Sequence, residues 1–451
     1  MQAKWEKYTV CRPSCAQGYG QAIQERIRGI EERHEAECLQ SGIANAIMSL
    51  KVAAAMPYCE VSVNNPLFTR FFHPSEESFF LFGPRGVGKS TLMKNQFKEA
   101  LYIDLLSPSV SRSLLARPEK LQEMIEGDPF GRCQIIIDEI QKVPELLTVA
   151  HQMIEEKKGY QFILTGSSAR KLKRVSANLL GGRALKYVLY PFMAGELENN
   201  FSLAKALQYG LLPLLTDKTD PEAVLHAYVE LYLQEEIQAE GLVRHIERFS
   251  RFLEVITFSH GGLLNVSNIA RECEVKRKTV ENYLGILEDL LLAFQYPVFS
   301  KRAQRELVSH SKFYLFDAGV FRTLRPQGPY DRVEQMEGAA LEGIVAQHLK
   351  SWNEYSRKKH SLYFWRTRSG VEVDFVIYGP SEFYGIEVKN STRVDWQDTK
   401  SLEVFLKDYP TAKALLLYRG NEPLKINNVL CLPCEAFLKQ LKPNGPSWAH
   451  F

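Results

Sequence analysis

The sequence predicts an α/β fold with a parallel β-sheet at its centre, and three observations support this prediction. The segment Phe79 to Leu92 runs from four apolar residues into a glycine-rich turn and then into a helix. The run Gln134 to Glu139 holds three isoleucines followed by two carboxylates, which fits a strand covered on both faces. Shorter apolar runs predict further strands at Leu101 to Ile103, Gln161 to Leu164 and Leu185 to Leu189.

The glycine-rich turn from Gly83 to Ser90 matches the phosphate-loop pattern G-x-x-x-x-G-K-[ST] at every fixed position. Its glycines let successive backbone N–H groups point at phosphates, and the helix that follows directs its positive end at the same anion. Lys89 is expected to reach the β- and γ-phosphates of ATP, and Ser90 to hold Mg²⁺. The predicted nucleotide contacts are Gly83, Pro84, Arg85, Gly86, Val87, Gly88, Lys89, Ser90, Thr91, Asp138, Thr165 and Ser167.

The two carboxylates that end the isoleucine run lie where open α/β sheets place their ligands. Asp138 is predicted to join Ser90 around the Mg²⁺ ion, and Glu139 to orient and polarise the attacking water. Paired with the phosphate loop upstream, the two residues indicate ATP hydrolysis, with ATP and Mg²⁺ as the required small molecules.

Three more residues extend the predicted site. Thr165 and Ser167 follow a strand, where a hydroxyl either senses the γ-phosphate or caps the next helix. Arg183 precedes the last predicted strand. It is interpreted either as a finger that neutralises transition-state charge, in a neighbouring subunit of a homo-oligomer, or as half of a surface ion pair. With Lys89 and Glu139, Arg183 completes the predicted catalytic set.

Three segments carry a resemblance to a known family: FILTGSSARKL, LLGGRA followed by a strand and PF, and DEIQKVPELL. The chain resembles prokaryotic AAA-type P-loop ATPases that carry a C-terminal DUF4143 region, and the similarity covers roughly Asn65 to Leu441. It implies an ASCE-division core with strand order 5-1-4-3-2 and favours Arg183 as a finger. It implies no substrate.

Changes of pattern along the 451 residues predict several domains. The expected divisions are an N-terminal helical appendage (1–62), an ATPase core (63–195), a helical lid (196–251), a winged helix (252–325), an α/β restriction-endonuclease-like domain (326–441) and a tail (442–451). The net charge of +3 is too small to indicate nucleic acid by itself. The chain lacks the apolar run of a membrane span or a secretory signal, so the expected location is the cytoplasm.

The predicted winged helix carries a local excess of cations. Its longer helix, expected to reach Phe294, begins with Lys276, Arg277 and Lys278, which suits a helix that reads the major groove of DNA. Lys301, Arg302 and Arg305 add charge for phosphates in the predicted wing. Double-stranded or branched DNA is therefore the expected partner. The alternative is a protein-docking module whose lysines and arginines are only solvated.

The last predicted domain holds a second candidate site. Asp374 lies on one predicted strand and Glu387-x-Lys389 on the next, which is similar to the active site of PD-(D/E)XK nucleases. Residues i and i+2 of a strand share a face, so these groups can meet and bind a second divalent metal, with Glu342 as a third carboxylate and Lys389 beside the water. The alternative is a retained fold in which the acidic pair and the lysine form only an internal salt bridge.

These observations leave three functions open. The preferred prediction is an ATPase that acts on DNA. The second is a nucleotide-gated switch or adaptor that binds a protein partner, as in defence or toxin–antitoxin systems, with an inactive nuclease-like domain. The third is a metal-dependent endonuclease that ATP licenses to cut.

Overall fold

Three β-sheets organise the part of the chain that the computed structural model describes, which is residues 68–167, 182–233, 246–301, 305–358, 360–380 and 382–445. Residues Leu67–Phe451 form one compact unit. The predicted N-terminal appendage (1–62), most of the tail and Arg302 lie outside the described residues.

The first sheet is parallel throughout and confirms the predicted strand order. It contains β1 (Phe79–Phe82), β2 (Leu101–Asp104), β3 (Gln134–Asp138), β4 (Gln161–Gly166) and β5 (Leu185–Val188) in the order β2-β3-β4-β1-β5. The three isoleucines of β3 are fully buried, as expected for a strand with both faces covered. All five strands run the same way, so the carboxyl ends of β1, β3 and β4 lie at one edge.

In the described ranges, several helices accompany this sheet and further helical segments follow it. The first group is α1 (Lys89–Gln96), α2 (Pro108–Ala116), α3 (Lys120–Glu126) and α4 (Leu146–Glu155). The second is α5 (Ala194–Leu197), α6 (Leu203–Tyr209), α7 (Pro221–Ala227) and a π-helix (Tyr228–Leu233). The described part of the predicted lid is thus helical.

The second sheet is small and antiparallel, with the order β6-β8-β7. The segment runs through α8 (Ile246–Thr257), β6 (Gly262–Leu263), α9 (Val266–Glu272), α10 (Arg277–Asp289), β7 (Ala293–Tyr296), β8 (Lys312–Leu315) and α11 (Ala318–Leu324). The prediction that α10 reaches Phe294 is wrong. Leu291 has a left-handed φ of 61°, which no helix continues, and Phe294 lies on β7.

The third sheet is mixed and has six strands in the order β13-β14-β12-β11-β10-β9. Helix α12 (Val333–Ser356) precedes β9 (Ser361–Arg366), β10 (Glu372–Tyr378) and β11 (Phe383–Lys389). The chain continues through α13 (Lys400–Asp408), β12 (Lys413–Tyr418), β13 (Leu424–Ile426), β14 (Val429–Pro433) and α14 (Cys434–Gln440). Strands β9 to β11 are antiparallel neighbours, whereas β11, β12 and β14 are parallel.

Helix α12 joins distant parts of the chain, because it contacts both the segment that follows β5 and the strand β8. The Ala194 N–H donates a hydrogen bond of 2.8 Å to His348 Nε2, and burial lowers the pKa of that imidazole to about 4, so it stays neutral as an acceptor. At Gly343 a side chain would lie 2.3 Å from His260 Nε2, so only glycine permits this approach. Although α12 has 24 residues, no helix in the described ranges is apolar enough over its length to cross a bilayer.

Candidate nucleotide site and acidic cluster

The phosphate loop joins β1 to α1 and has the backbone that its glycines predict. Gly86 and Gly88 have left-handed φ angles of 83° and 86°, which a residue with a side chain rarely adopts. A Cβ on Gly83 would lie 2.5 Å from the Leu189 carbonyl oxygen, so the loop also needs glycine where it passes the end of β5. Sequence and close packing together shape a turn whose N–H groups suit an anion.

Lys89 begins α1, and its side chain is buried. Its Nζ donates to the Gly83 carbonyl at 2.7 Å and to the Pro84 carbonyl at 3.1 Å, both within its own loop. The ammonium group therefore already lies inside the curve of the loop. Thr91, two residues further along, is exposed.

Asp138 lies at the carboxyl end of β3 with 2% of its surface exposed. Its two oxygens accept hydrogen bonds from the Tyr102 and Thr165 hydroxyls. The Tyr102 hydroxyl also interacts with Ser90, so Ser90 and Asp138 converge on one hydroxyl group. Burial and then Asp138 raise the pKa of Tyr102, which therefore stays protonated. A hydroxyl and a carboxylate are hard oxygen ligands, so the pair fits Mg²⁺.

Glu139 follows Asp138 with a left-handed φ of 61°, an uncommon conformation for a residue other than glycine. Its N–H donates to Thr165 Oγ1 at 3.2 Å, and its carboxylate accepts a hydrogen bond from Gln141. Gln141 Nε2 also donates to Ser167 Oγ at 3.1 Å. The predicted residue Thr165 thus contacts the Asp138 carboxylate and the Glu139 backbone at the edge of the sheet, whereas Ser167 contacts Gln141. Gln141, which no motif marks, connects Glu139 to Ser167.

The helical segment after the first sheet lies against the phosphate loop. The Leu214 N–H donates to the Gly86 carbonyl at 3.1 Å, and the Tyr228 hydroxyl donates to the Arg85 carbonyl at 3.0 Å. Both contacts are made to backbone carbonyls, so neither depends on the side chain at position 85. The loop is therefore buttressed from two sides, by β5 and by this segment.

Arg183 pairs with Glu155 of α4, and the two side chains are 41% and 48% exposed. This contact is the surface ion pair of the second of the two interpretations of Arg183, and it forms within a single chain. The finger needs a neighbouring subunit and stays a prediction.

Arg70 is a buried cation behind the phosphate loop that no motif indicates. Its Nη1 donates to the Val87 carbonyl at 3.0 Å, and its other terminal nitrogen donates to the Tyr190 carbonyl. Its Nε lies 3.1 Å from Glu196 Oε2, and the Glu196 side chain has no exposed surface. One guanidinium thus ties the loop to the chain that leaves β5. The only signal in the sequence is a single charge within the run NPLFTRFF.

We expect Arg70→Met to lower the free energy of unfolding by about 3–5 kcal/mol, because it leaves the Glu196 carboxylate buried without its counter-charge. ATP affinity should fall as well, since Val87 loses its anchor. Urea unfolding and nucleotide titration measure the two effects. The matched control is Arg117→Met, which removes an ion pair to Glu123 whose partners are 59% and 58% exposed. It should cost less than about 1 kcal/mol. Equal losses in both variants would contradict a role for Arg70.

The second candidate site brings together the predicted Asp374 and Glu342 but adds a residue that was not predicted. Asp374 lies at an irregularity of β10, and its Oδ2 accepts the Val388 N–H of β11 at 2.9 Å. Lys312 Nζ, from β8, lies 2.8 Å from Glu342 Oε1, 2.8 Å from Asp374 Oδ1 and 2.5 Å from Glu372 Oε1. Only 1% of the Lys312 side chain is exposed. We call these four residues, with Glu387, the acidic cluster.

Glu387 and Lys389 share a face of β11, as predicted, and pair with each other at 2.7 Å. The other Glu387 oxygen, Oε2, is buried and has no hydrogen-bond partner among the described residues. Burial and then the nearby Asp374 raise the pKa of both Glu387 and Glu342 above the ordinary range of glutamate. Sharing of a buried region by three carboxylates explains that direction.

The predicted second metal does not fit this arrangement. An ammonium group occupies the place where Glu342 and Asp374 converge. With Lys312 in that position, the described residues contain no group of three His, Cys, Asp or Glu side chains placed to hold a metal ion. The described residues therefore do not support the expectation of a divalent ion here. The internal salt bridge of the alternative interpretation is present between Lys389 and Glu387. A second lysine, Lys312, pairs with Glu342 and Asp374 and was not predicted.

The predicted DNA contacts divide into two groups. Lys276, Arg277 and Lys278 are exposed at the start of α10, with Glu281 lying 3.1 Å from Arg277 and 3.7 Å from Lys278. The two described cations of the predicted wing instead contact the third sheet and its helix α13: Lys301 Nζ lies 4.4 Å from the Tyr378 ring centre of β10, and Arg305 lies 2.8 Å from Asp408 of α13.

The backbone explains this division. The Phe299 N–H donates to the Phe364 carbonyl at 2.7 Å, and the Val308 N–H donates to the Arg366 carbonyl at 3.2 Å. The segment between β7 and β8 therefore lies along the edge strand β9, which brings its cations to the third sheet.

The fold and the phosphate loop define the class: the chain has the α/β core of a P-loop nucleotide-binding protein. Comparison with family profiles places an AAA domain at residues 75–198 and DUF4143, a domain of unknown function, at 337–437. The chain is thus an AAA-domain protein with a C-terminal DUF4143 region, as the resemblance implied. A further domain of unknown function, DUF8612, matches residues 200–331.

Similar whole proteins extend over most of the chain. "Uncharacterized protein Rv2008c" of Mycobacterium tuberculosis is 26% identical over 369 residues, covering 79% of this chain and 80% of its own. "Uncharacterized protein MJ1544" of Methanocaldococcus jannaschii is 22% identical over 305 residues, covering 61% and 65%. Among solved structures, protein VC1899 of Vibrio cholerae aligns with 81% of this chain and 96% of its own at 12% identity, with a TM-score of 0.19.

Proposed function

We propose that this protein hydrolyses ATP and transmits its nucleotide state to C-terminal lobes that bind DNA. The observation that carries the proposal is the convergence of Ser90 and Asp138 beside a phosphate loop of the required backbone. Those two residues would hold Mg²⁺, which supplies charge neutralisation at the phosphates when it is bound. Lys89 would turn from its loop carbonyls to the phosphates, and Glu139 would orient the attacking water.

Transmission is proposed to run through Arg70 and α12. Arg70 holds the Val87 carbonyl of the phosphate loop and lies within hydrogen-bonding range of the Tyr355 hydroxyl on α12. Tyr355 also accepts the Tyr190 N–H at 3.0 Å, and His348 accepts the Ala194 N–H. Helix α12 also carries Glu342 of the acidic cluster. A shift of the phosphate loop would therefore change contacts on a helix that also reaches the C-terminal part of the chain.

DNA binding is proposed for residues 246–315. Helix, strand, two helices and two strands around an antiparallel sheet are typical of a winged helix, and α10 is the helix that would enter the major groove. Lys276, Arg277 and Lys278 would meet DNA there. Lys301 and Arg305 support this interpretation less, because the third sheet already holds them. A homo-oligomer in which Arg183 reaches a neighbour's nucleotide belongs to the same proposal.

A protein-binding switch is the second candidate, and one observation favours it. The segment between β7 and β8 is bonded to β9, so it is unavailable as a free wing for DNA. The same nucleotide cycle would then control a protein partner. The ATP-licensed endonuclease has less support, since Lys312 lies within the carboxylates that would have to bind its metal.

One set of assays separates the candidates. We expect duplex or branched DNA to raise the ATPase rate of the native chain and Lys276→Glu/Lys278→Glu to abolish that rise. Each lost phosphate contact should lower the slope of log affinity against log salt by about 0.9. The control is Lys98→Glu/Lys218→Glu, which makes the same charge change at two exposed positions elsewhere. Unchanged DNA affinity in the first variant, or no DNA response in the native chain, would favour the protein-binding switch.

A further inference from the structure

The acidic cluster is assembled from two parts of the chain that are distant in sequence. Glu342, Asp374, Glu372 and Glu387 belong to α12, β10 and β11, whereas Lys312 belongs to β8, 62 residues before Asp374. The Tyr314 hydroxyl, also from β8, donates to Glu342 Oε1 at 2.6 Å. The second sheet therefore contributes both a cation and a hydrogen-bond donor to a cluster whose carboxylates belong to the third sheet and α12.

The position of the Lys312 ammonium group decides whether a metal ion can bind among the carboxylates of the acidic cluster. Three carboxylates lie within 2.8 Å of Lys312 Nζ, and the remaining Asp374 oxygen accepts a backbone N–H. A divalent ion would need these same oxygens at about 2.0–2.6 Å. It would then lie next to a buried positive charge, and Lys312 cannot turn toward water because its side chain is buried.

A second observation identifies a carboxylate oxygen of the cluster that no ion pair uses. The Glu387 side chain is 9% exposed and adjoins Asp374, yet its Oε2 has no hydrogen-bond donor among the described residues. Its first oxygen is already held by Lys389. A buried carboxylate oxygen without a donor is available as a ligand for a cation.

We infer that the Lys312 ammonium takes the place of a divalent ion, so that the C-terminal α/β domain does not cut DNA and holds a latent metal site that opens when Lys312 is removed. The native role of the cluster is to bind β8 to α12 and β10. Glu342, Asp374 and the unpartnered oxygen of Glu387 would ligate the ion in a variant that lacks the ammonium. The inference does not depend on ATP hydrolysis, because none of these residues touches the phosphate loop.

Mn²⁺ binding to the full-length, nucleotide-free protein tests the native state. Paramagnetic resonance separates free from bound Mn²⁺ and gives the number of ions per chain. We expect the native protein and Glu387→Gln to bind equal numbers, since any ion at Asp138 is common to both. Loss of a bound ion in Glu387→Gln would overturn the inference. So would Mn²⁺-dependent DNA cleavage by the native protein that Asp374→Ala abolishes.

The converse experiment removes the lysine. Lys312→Ala should gain one Mn²⁺ per chain, and Lys312→Ala/Glu387→Gln should lose it again. Mn²⁺ should also raise the melting temperature of Lys312→Ala but not of the double variant. A folded Lys312→Ala protein with native ATPase activity and no added Mn²⁺ would overturn the inference. If that variant does not fold, the comparison of the native protein with Glu387→Gln still decides the question.

Discussion

Lys89→Ala is expected to reduce kcat/KM for ATP by at least about 100-fold, the usual cost of losing one cationic or donor group that meets transition-state charge. The structure supports a large effect because the Lys89 ammonium lies within the loop, bonded to the Gly83 and Pro84 carbonyls. Its removal leaves these carbonyls facing the position where phosphates would bind. A fluorescent ATP analogue and phosphate release measure binding and turnover.

The matched control for this variant is Lys98→Ala, which removes an exposed lysine just beyond the end of α1. Its kinetics should equal those of the native protein. Native rates in Lys89→Ala would contradict hydrolysis at this loop. The anchoring function of Arg70 would then have to be explained by stability alone.

Glu139→Gln is expected to bind ATP almost normally and to turn it over about 10²–10⁴-fold more slowly, which is the usual contribution of a general base. Glutamine keeps the size of the side chain and can still contact Gln141, so the network to Ser167 should persist. Only the charge that polarises the water is lost. The same Asp138 would hold the metal in both proteins.

Binding and single-turnover measurements distinguish this result from simple damage. Glu145→Gln, at an exposed position on the same connection, makes the same chemical change and should leave turnover unaltered. A Glu139→Gln variant with a native rate would assign the water-orienting role to another residue. Failure of that variant to bind ATP would indicate instead that Glu139 supports the backbone of the site.

The arrangement of the candidate nucleotide site was largely predictable because its determinants are local. A phosphate loop is one continuous segment, and the three isoleucines before Asp138 predict a buried parallel strand without further information. The parallel strands then bring Asp138 and Thr165 to one edge as a matter of geometry. Tyr102 and Gln141 were not predictable in this way, because a tyrosine in a strand and a glutamine in a turn usually have no role in a site.

The positions of the proposed DNA contacts were predicted only in part, for a different reason. The exposed start of α10 follows from its sequence, since adjacent cations at a helix terminus remain near water. The placement of Lys301 and Arg305 depends on which edge the segment after β7 joins. That edge belongs to β9, and the pairing of distant strands has no local signature.

The sequence by itself determined the class of the protein, the phosphate loop, the two carboxylates at the end of β3 and the five strands of the first sheet. Short-range backbone preferences and side-chain periodicity are sufficient for these features. Only the tertiary structure decided that Arg70 reaches Tyr190, 120 residues away, and that Lys312 enters the carboxylates around Asp374. Both are buried charges. Their partners are selected by the need to neutralise them where distant segments pack together, a requirement that operates only once the chain has folded.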